Sequence, residues 1–372
     1  MNAALLNWAG RALGLALIVA VLWLVGWQDS VTTPDGETLR GTIVEIVPEQ
    51  EVRIRDEQGV EHTVPNPAAD AVHQGLRSTF RGLAEAPQFA LLGIALQLLA
   101  VIIIALRWGV LLDGAGLGLP LRSVFRLSWI GHFLGTVIPG GLASGDVLKA
   151  LYVAKERKAT RTRALVTAFT DRVLALLVLG AIAATALLLV RSGPRFETAR
   201  TVLFLLMGAG ALVALLFYSA GIRAVLRIHH LTNKLPFPGV VNEIKKALLL
   251  YRHRPRHVLA TLALAAVGHL LILAAFWCYG RALGVWVPPI AIFVAIPVAQ
   301  VLSSIPGLPG GWGFGDFAFY FFLPAAGVAA GPAVALSITF RLVQTLLGLP
   351  GGLMLSRRKT PADSEALAAV EG

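Results

Sequence analysis

Five charged side chains lie in long apolar or glycine-rich segments of this sequence. At membrane depth one such charge costs at least about 2.5–3.5 kcal/mol, so any that are retained there are candidates for function. Three carboxylates and two guanidinium groups sum to −1, which suits internal pairing and leaves arginine available for an anion such as phosphate. Either the arginines bind an anionic ligand while the aspartates orient them or carry protons, or the five residues form fixed salt bridges. The five are Asp146, Asp171, Arg172, Asp316 and Arg341.

The pattern P-G-G-x-x-x-G-D occurs twice, beginning at Pro139 and at Pro309. Some 25 residues after each copy stands one of the two arginines, which indicates a degenerate internal duplication. Glycine permits close approach of another backbone or a ligand, and half-helix N-termini present free N–H groups to an anion. The aspartate that ends each copy is also a candidate cap for the short helix that follows. The predicted broken-backbone positions are Pro139, Gly140, Gly141, Gly145, Pro309, Gly310, Gly311 and Gly315.

The composition predicts that these residues lie in a polytopic membrane protein. Of 372 residues, 56% are hydrophobic and 14% charged, and the mean hydropathy is +0.73. Soluble domains carry near a quarter charged residues, which excludes an ordinary globular enzyme. The net charge is +11, but the basic residues cluster between apolar blocks, as on a cytoplasmic membrane face, which argues against nucleic acid as a partner.

Several kinds of chemistry have no sequence support. There is no phosphate-binding G-x-x-x-x-G-K-[ST] loop, no G-x-S-x-G elbow and no H-E-x-x-H motif. The histidines lack a convincing set of cysteine or carboxylate partners, and His132 and His269 are expected to be packing residues. The lone cysteine, Cys278, excludes an intrachain disulfide. We therefore expect no cofactor, no metal and no enzymatic activity.

Residues 28–86 differ in composition from the rest of the chain. They hold 11 of the 21 acidic residues against 5 basic ones, which favours the outer face of the membrane. Alternating residues predict short strands over 42–47, 52–55 and 60–64, and hence a small extramembrane β module. This module could bind a lipid head group or an envelope protein.

The apolar blocks and basic stretches predict a topology. The positive-inside rule predicts that the basic stretches 149–163 and 223–256 are cytoplasmic. If every apolar block crossed the membrane, with the N-terminus inside, the stretch 149–163 would instead lie outside. The conflict disappears if 121–150 and 288–326 are re-entrant hairpins entering from opposite faces. The expected fold is an all-α polytopic membrane protein with about six spanning helices and two re-entrant hairpins in an inverted repeat, as in secondary transporters. The predicted spans come from apolar blocks 3–27, 88–106, 164–190, 201–219, 257–279 and 332–355.

The predicted domains follow from these boundaries. The only charged residue of the predicted anchor helix is Arg11. The helix ends at Trp27 and lacks the small residues that precede a signal-peptide cleavage site. Both termini are expected to be cytoplasmic, in a bacterial inner membrane. The segments are an anchor at 1–27, the β module at 28–86, a transmembrane domain at 87–356 with halves at 87–219 and 257–356, a basic linker at 220–256 and a tail at 357–372.

The two motif regions resemble the transmembrane region of lysylphosphatidylglycerol synthases, a flippase-like membrane family. The resemblance covers about 88–356 and rests on Gly140–Tyr152 with Asp171–Leu174, and on Ile305–Gly313 with Phe340–Val343. Three positions differ from the usual pattern: Lys149 replaces arginine, Asp316 glutamate and Phe340 tyrosine. The resemblance implies translocation of aminoacylated phospholipids or related polar-headed lipids. Because the aminoacyl-transferase domain is missing, we expect no lysylphosphatidylglycerol synthesis by this chain alone.

Three functions are therefore weighed. The leading hypothesis is a transporter that moves an anionic or aminoacylated phospholipid, or a glycolipid, between leaflets. A second is a membrane-embedded enzyme acting on a lipid-linked sugar or phosphate, with Asp29 and Asp35 as catalytic acids. A third is a partner subunit that positions an envelope protein through residues 28–86.

Overall fold

The computed structural model describes most of the chain between the end of the predicted anchor helix and the start of the tail. The predicted anchor up to residue 26, the tail 357–372, and most of the 201–219 block and of the linker 220–256 lie outside the described residues, as do Pro139, Gly140 and Gly141. The described residues are 27–33, 35–47, 51–56, 58–65, 72–73, 75–138, 142–158, 161–189, 197, 200, 201, 204, 208, 251, 253–303 and 309–356.

The predicted β module is an antiparallel sheet of five strands in the order β4-β3-β2-β1-β5. Alternation forms its core: Val52 and Ile54 are buried while Arg53 and Arg55, between and after them, are exposed. The predicted strands are confirmed, and the structure adds β1, β5 and a following helix. The strands are β1 (Asp29–Thr32), β2 (Thr38–Val47), β3 (Glu51–Arg55), β4 (Glu61–Pro65) and β5 (Val72–His73).

Helices make up most of the remaining described chain. Four of them are long and apolar enough to cross a membrane: α2, α5, α6 and α9, with 27 or more residues each. The helices are α1 (Leu76–Glu85), α2 (Pro87–Gly114), α3 (Leu121–Val137), α4 (Leu142–Glu156), α5 (Arg161–Leu189), α6 (Pro255–Ala282), α7 (Ile296–Ser303), α8 (Phe314–Phe322) and α9 (Ala330–Ser356).

Two pairs of shorter helices occupy the segments predicted to be hairpins. Helices α3 and α4, of 17 and 15 residues, precede α5. Helices α7 and α8, of 8 and 9 residues, precede α9, and a π-helical turn leads into α7. Each sequence copy thus contributes two short helices followed by a long one.

The contacts divide the chain into two compact units. The first contains Met1–Leu96 and Leu273–Val343, and so holds the β module and the second motif copy. The second contains Gln97–Ile272 and Gln344–Gly372, and so holds the first motif copy.

Each unit has its own apolar packing. In the first unit, the ring of Phe276 stacks on Phe340 with centroids 4.4 Å apart. In the second unit, α3 and α4 lie so close that a Cβ on Gly145 would collide with the carbonyl of Gly131. The absence of a side chain at Gly145 therefore allows the backbones of α3 and α4 to approach each other closely.

Candidate functional site

The first motif copy builds a cluster of one carboxylate and two cations, here named the Asp146 cluster: Asp146, Lys149 and Arg172. Helix α4 carries Asp146 and, one turn later, Lys149, whose Nζ lies 2.7 Å from Asp146 Oδ1. Helix α5 brings Arg172, whose Nε donates to Asp146 Oδ2 at 2.5 Å. One carboxylate therefore holds two cations, and the cluster carries a net charge of +1.

Lys149 is the more enclosed of the two cations. Its side chain is 6% exposed, and its Nζ lies 4.7 Å from the ring centroid of Trp108 on α2. A cation over an indole face is stabilised by the ring's quadrupole, most strongly where water is excluded. The carboxylate of Asp146 and the ring of Trp108 together hold the ammonium group in place.

Arg172 differs because the described residues engage only part of its guanidinium. Its side chain is 32% exposed, and only Nε takes part in a hydrogen bond to another described residue. Nη1 and Nη2 have no acceptor within the described part of the chain. The geometry thus presents two N–H-bearing nitrogens from a cluster whose own carboxylate is already used, which is an arrangement suited to an anion.

The second motif copy also pairs its aspartate with its arginine, but all three nitrogens of Arg341 are engaged. Arg341 Nε donates to Asp316 Oδ1 at 2.9 Å, and Nη1 to the carbonyl of Gly310 at 2.6 Å. Nη2 donates to Ser303 Oγ at 3.2 Å, and the guanidinium lies 5.8 Å from the Trp312 ring. With a side chain 5% exposed, Arg341 ties the break before α8 to α9.

Both carboxylate oxygens of Asp316 also accept hydrogen bonds, and Asp316 caps the N-terminus of α8 as predicted. Its Oδ2 accepts from the backbone N–H of Gly313, immediately before α8, and its Oδ1 also accepts from Ser337 Oγ at 2.6 Å. A Cβ on Gly315 would overlap the guanidinium of Arg341 and the hydroxyl of Ser303, so a larger residue there would displace these side chains. Gly310 and Gly311 have positive φ values of 64° and 78°, which glycine accommodates.

Asp171 forms its ion pair with Arg107 and not with Arg172, the next residue in the sequence. Arg107 on α2 donates from Nε to Asp171 Oδ1 and from Nη2 to Oδ2, both at 2.8 Å. Both side chains are buried. This bidentate ion pair links α2 to α5. Because successive residues of a helix point about 100° apart, Asp171 and Arg172 contact different partners although they are neighbours in sequence.

The five predicted residues therefore lie in three separate ion-pair clusters, each within one unit of the chain. Sequence reasoning missed Arg107 and Lys149. Arg107 is the residue that follows the predicted apolar block 88–106. Its place at the end of that block was the only feature of the sequence that could have identified it. Lys149 was counted with the basic stretch that follows it. Including both changes the net charge of the set from −1 to +1.

The remaining candidates have structural contacts. The ring nitrogen Nε2 of His132 lies 3.1 Å from the carbonyl of Gln344, and that of His269 lies 2.9 Å from the carbonyl of Ala175, both between helices. No group of three potential metal-ligating side chains occurs among the described residues. Asp29 is buried, and its carboxylate accepts the N–H groups of Ile43 and Gly75.

Comparison with known proteins matches this chain to one family. The model of the lysylphosphatidylglycerol synthase TM region matches residues 72–352. The UPF0104 membrane protein PH1989 of Pyrococcus horikoshii is 23% identical over 317 residues, which cover 77% of this chain and 92% of that protein. The UPF0104 membrane protein MJ1595 of Methanocaldococcus jannaschii is 26% identical over 88 residues, 24% of this chain and 26% of that protein. No solved structure matches significantly.

Proposed function

Since this chain belongs to the lysylphosphatidylglycerol synthase TM region family, we propose that it moves a polar-headed lipid between the two leaflets of a membrane. The lipid would be an anionic or aminoacylated phospholipid, or a glycolipid carrying a phosphate. The observation that carries the proposal is the partly exposed guanidinium of Arg172, which lies in a cluster of net charge +1 and has two nitrogens without an acceptor among the described residues.

The Asp146 cluster has the chemistry to hold a phosphodiester. A single negative charge would neutralise the cluster, and the two terminal nitrogens of a guanidinium match two phosphate oxygens. Asp146 would orient Arg172 through Nε and leave Nη1 and Nη2 for the head group. Lys149 would add positive potential from its enclosed position against Trp108.

The second copy supports the same mechanism in a different role. Arg341 and Asp316 are engaged on all sides, so they would keep the broken backbone of their hairpin in shape while the first copy binds. Backbone breaks at membrane depth are tolerated where protein buries them or where they line a cavity. Asp316 and Arg341 would therefore belong to the transport machinery as positioning residues.

The proposed topology extends this arrangement. Six spans would consist of α2, α5, α6 and α9 together with the apolar blocks 3–27 and 201–219. The two short-helix pairs would be re-entrant hairpins of an inverted repeat, with both chain termini in the cytoplasm of a bacterial cell and the chain in the inner membrane. The recurrence of two short helices, a long helix and an Asp–Arg pair in each copy supports this interpretation.

We also propose that the chain acts without enzymatic chemistry. The competing enzyme hypothesis placed catalytic acids at Asp29 and Asp35. The carboxylate of Asp29 is committed to two backbone N–H groups that join β1 to β2 and to the segment before α1. This occupancy favours a role for Asp29 in the fold of the β module.

A head-group accessibility assay tests the proposed function. The full chain is reconstituted into vesicles containing fluorescent phosphatidylglycerol, lysylphosphatidylglycerol or a glycolipid, and a membrane-impermeant reagent quenches the outer leaflet. The wild type should expose the protected half of the label, Arg172→Gln should not, and Arg161→Gln, at the exposed start of the same helix, should behave as wild type.

Two results would contradict the proposal. Exposure of label by Arg172→Gln at the wild-type rate would remove the site assignment. No movement of any of these lipids by the wild type, under proton gradients of either sign, would remove the transport function itself.

A further inference from the structure

A polar pocket lies in the β module, between the sheet and helix α1, and we name it the juxtamembrane pocket. Its volume is about 150 Å³, and its walls include Gln28, Thr42, Arg55, Asp56, Arg77 and Arg81. A water molecule occupies about 30 Å³ of liquid, so the pocket has room for a tetrahedral oxyanion with a few waters. None of its residues belongs to the three ion-pair clusters described above.

The guanidinium groups of two arginines at this pocket make no hydrogen bond or salt bridge with another residue that the structure describes. Arg77 and Arg81 stand one turn apart on α1, and both are exposed. Like charges at this spacing repel each other. An anion held between the two guanidinium groups would replace that repulsion with two charge-assisted interactions.

The acids at the pocket are already used by the fold. Asp29 accepts the N–H groups of Ile43 and Gly75 at 2.8 and 2.7 Å. Asp56 accepts the N–H groups of Gln58 and Val60, both at 2.9 Å, and also contacts His62. These carboxylates hold strands and a turn in place, and among the described residues no salt bridge joins Asp56 to either α1 arginine.

The third guanidinium at the pocket, that of Arg55, is paired with Glu61 on the neighbouring strand. With Glu61 included, three arginines are matched by three carboxylates at this pocket. The two arginines that form no ion pair with another described residue, Arg77 and Arg81, both lie on α1.

The position of α1 indicates where an anion would come from. Helix α1 ends at Glu85, and the apolar helix α2 begins two residues later at Pro87. Ten helical residues measure about 15 Å, so both arginines lie within about that distance of the start of a membrane span. Basic side chains so close to a bilayer are attracted to anionic head groups.

We propose that the juxtamembrane pocket binds the phosphate of an anionic lipid head group at the membrane surface, with Arg77 and Arg81 as the donors. Leu76 and Thr79 of α1 are buried, which keeps the helix on the module and turns its arginines to the pocket. The β module would thus be anchored to anionic lipid beside α2. This site is independent of the Asp146 cluster and of the transport that we propose for it.

Native mass spectrometry of the full chain in a neutral detergent tests this site. Phosphatidylglycerol is titrated into the protein, and the occupancy of bound lipid is counted for the wild type and for the double variant Arg77→Gln/Arg81→Gln. Losing two charge-assisted contacts should weaken one binding event by about tenfold or more. Arg40→Gln, an exposed position on β2 outside the pocket, should leave that event unchanged.

Further measurements distinguish lipid binding at the juxtamembrane pocket from binding at the Asp146 cluster and from other ligands. Arg172→Gln should retain the event, because it alters only the Asp146 cluster. Equal occupancy in the wild type and the double variant would overturn the proposal. Displacement of the lipid by inorganic phosphate at equal concentration would keep the phosphate chemistry but overturn the lipid source. Absence of any phosphatidylglycerol binding by the wild type would overturn the proposal in favour of an acidic protein partner.

Discussion

Arg341 donates from Nε to Asp316, 25 residues earlier in the chain, at 2.9 Å, and neither side chain is more than 5% exposed. Arg172 makes the same Nε contact with Asp146, 26 residues earlier, at 2.5 Å. The two motif copies thus repeat one contact in different surroundings. One arginine is enclosed by acceptors, whereas the other is partly exposed and shares its aspartate with Lys149.

Removing the charge of these two arginines should affect stability unequally. Arg341→Gln should lower the free energy of unfolding by about 3–5 kcal/mol, because it leaves Asp316 buried without its cation. Arg172→Gln should cost about 1 kcal/mol, because Asp146 keeps Lys149 and the site is partly exposed. Denaturant unfolding in detergent measures both. Equal losses would contradict the different roles assigned to the two copies.

The ion pair between Arg107 and Asp171 should prove replaceable as a pair. Asp171→Asn alone should destabilise the chain by about 3–5 kcal/mol, since it leaves a buried guanidinium uncompensated. Replacing both residues by leucine should recover most of that loss, because apolar side chains avoid the desolvation of two charges. Thermal unfolding of the wild type, Arg107→Leu, Asp171→Leu and the double leucine variant forms a thermodynamic cycle. A double variant less stable than either single would refute a purely structural pair.

Gly145→Ala should disrupt the contact between α3 and α4. The added Cβ would collide with the carbonyl of Gly131, and a backbone atom cannot move aside as the end of a side chain can. We expect a loss of folded, monodisperse protein on size-exclusion chromatography. Gly268→Ala on α6 is the control, since its Cβ would meet Ile103 at an ordinary 3.6 Å. Normal folding of Gly145→Ala would show that the helices can separate at no cost.

The β module should loosen in acid. A hydrogen bond from His62, followed by backbone N–H groups, holds the pKa of Asp56 below its ordinary value of 3.8, and Arg55 likewise holds the pKa of Glu61 below 4.5. Groups with a depressed folded pKa contribute stability that is fully present above the unfolded pKa and is lost as the pH falls through the folded one. Lower protection of the described amides in residues 51–65, relative to their intrinsic exchange rates at the same pH, is therefore expected below about pH 4.

The matching variant is Asp56→Asn, which removes one of the two titrating carboxylates. It should reduce the difference in amide protection, corrected for the intrinsic exchange rates, between neutral and acid pH in the turn that Asp56 closes. An unchanged pH response in this variant would mean that other groups control the acid sensitivity of the module.

Much of the secondary structure could be predicted from the sequence because each element leaves a periodic or compositional trace. Apolar blocks of some 20 residues or more marked α2, α5, α6 and α9, since a helix in lipid satisfies its own backbone hydrogen bonds. Alternation in residues 51–55 marked a half-buried strand. Helix α1 was missed because its ten residues mix Arg77 and Arg81 with apolar positions inside an acidic segment.

Which residues could matter was also visible in the sequence, because charge in an apolar segment is costly and therefore rare. The five predicted residues and the duplicated motif came from this rule and from self-similarity alone. Only the tertiary structure decided their partners. Arg107 and Asp171 are separated by 64 residues, and helical periodicity does not specify which neighbouring helix a buried side chain will face.

The difference between the two copies likewise depended on packing. Asp146 and Asp316 end the same motif, and an arginine follows each at nearly the same interval. Arg341 lies among a carbonyl, a serine hydroxyl and a carboxylate. Arg172 is 32% exposed, and among the described residues a single carboxylate contacts it. The sequence determined the charges and their spacing, and the surrounding backbone decided which guanidinium is left available to a ligand, because hydrogen-bond saturation depends on neighbours brought together by folding.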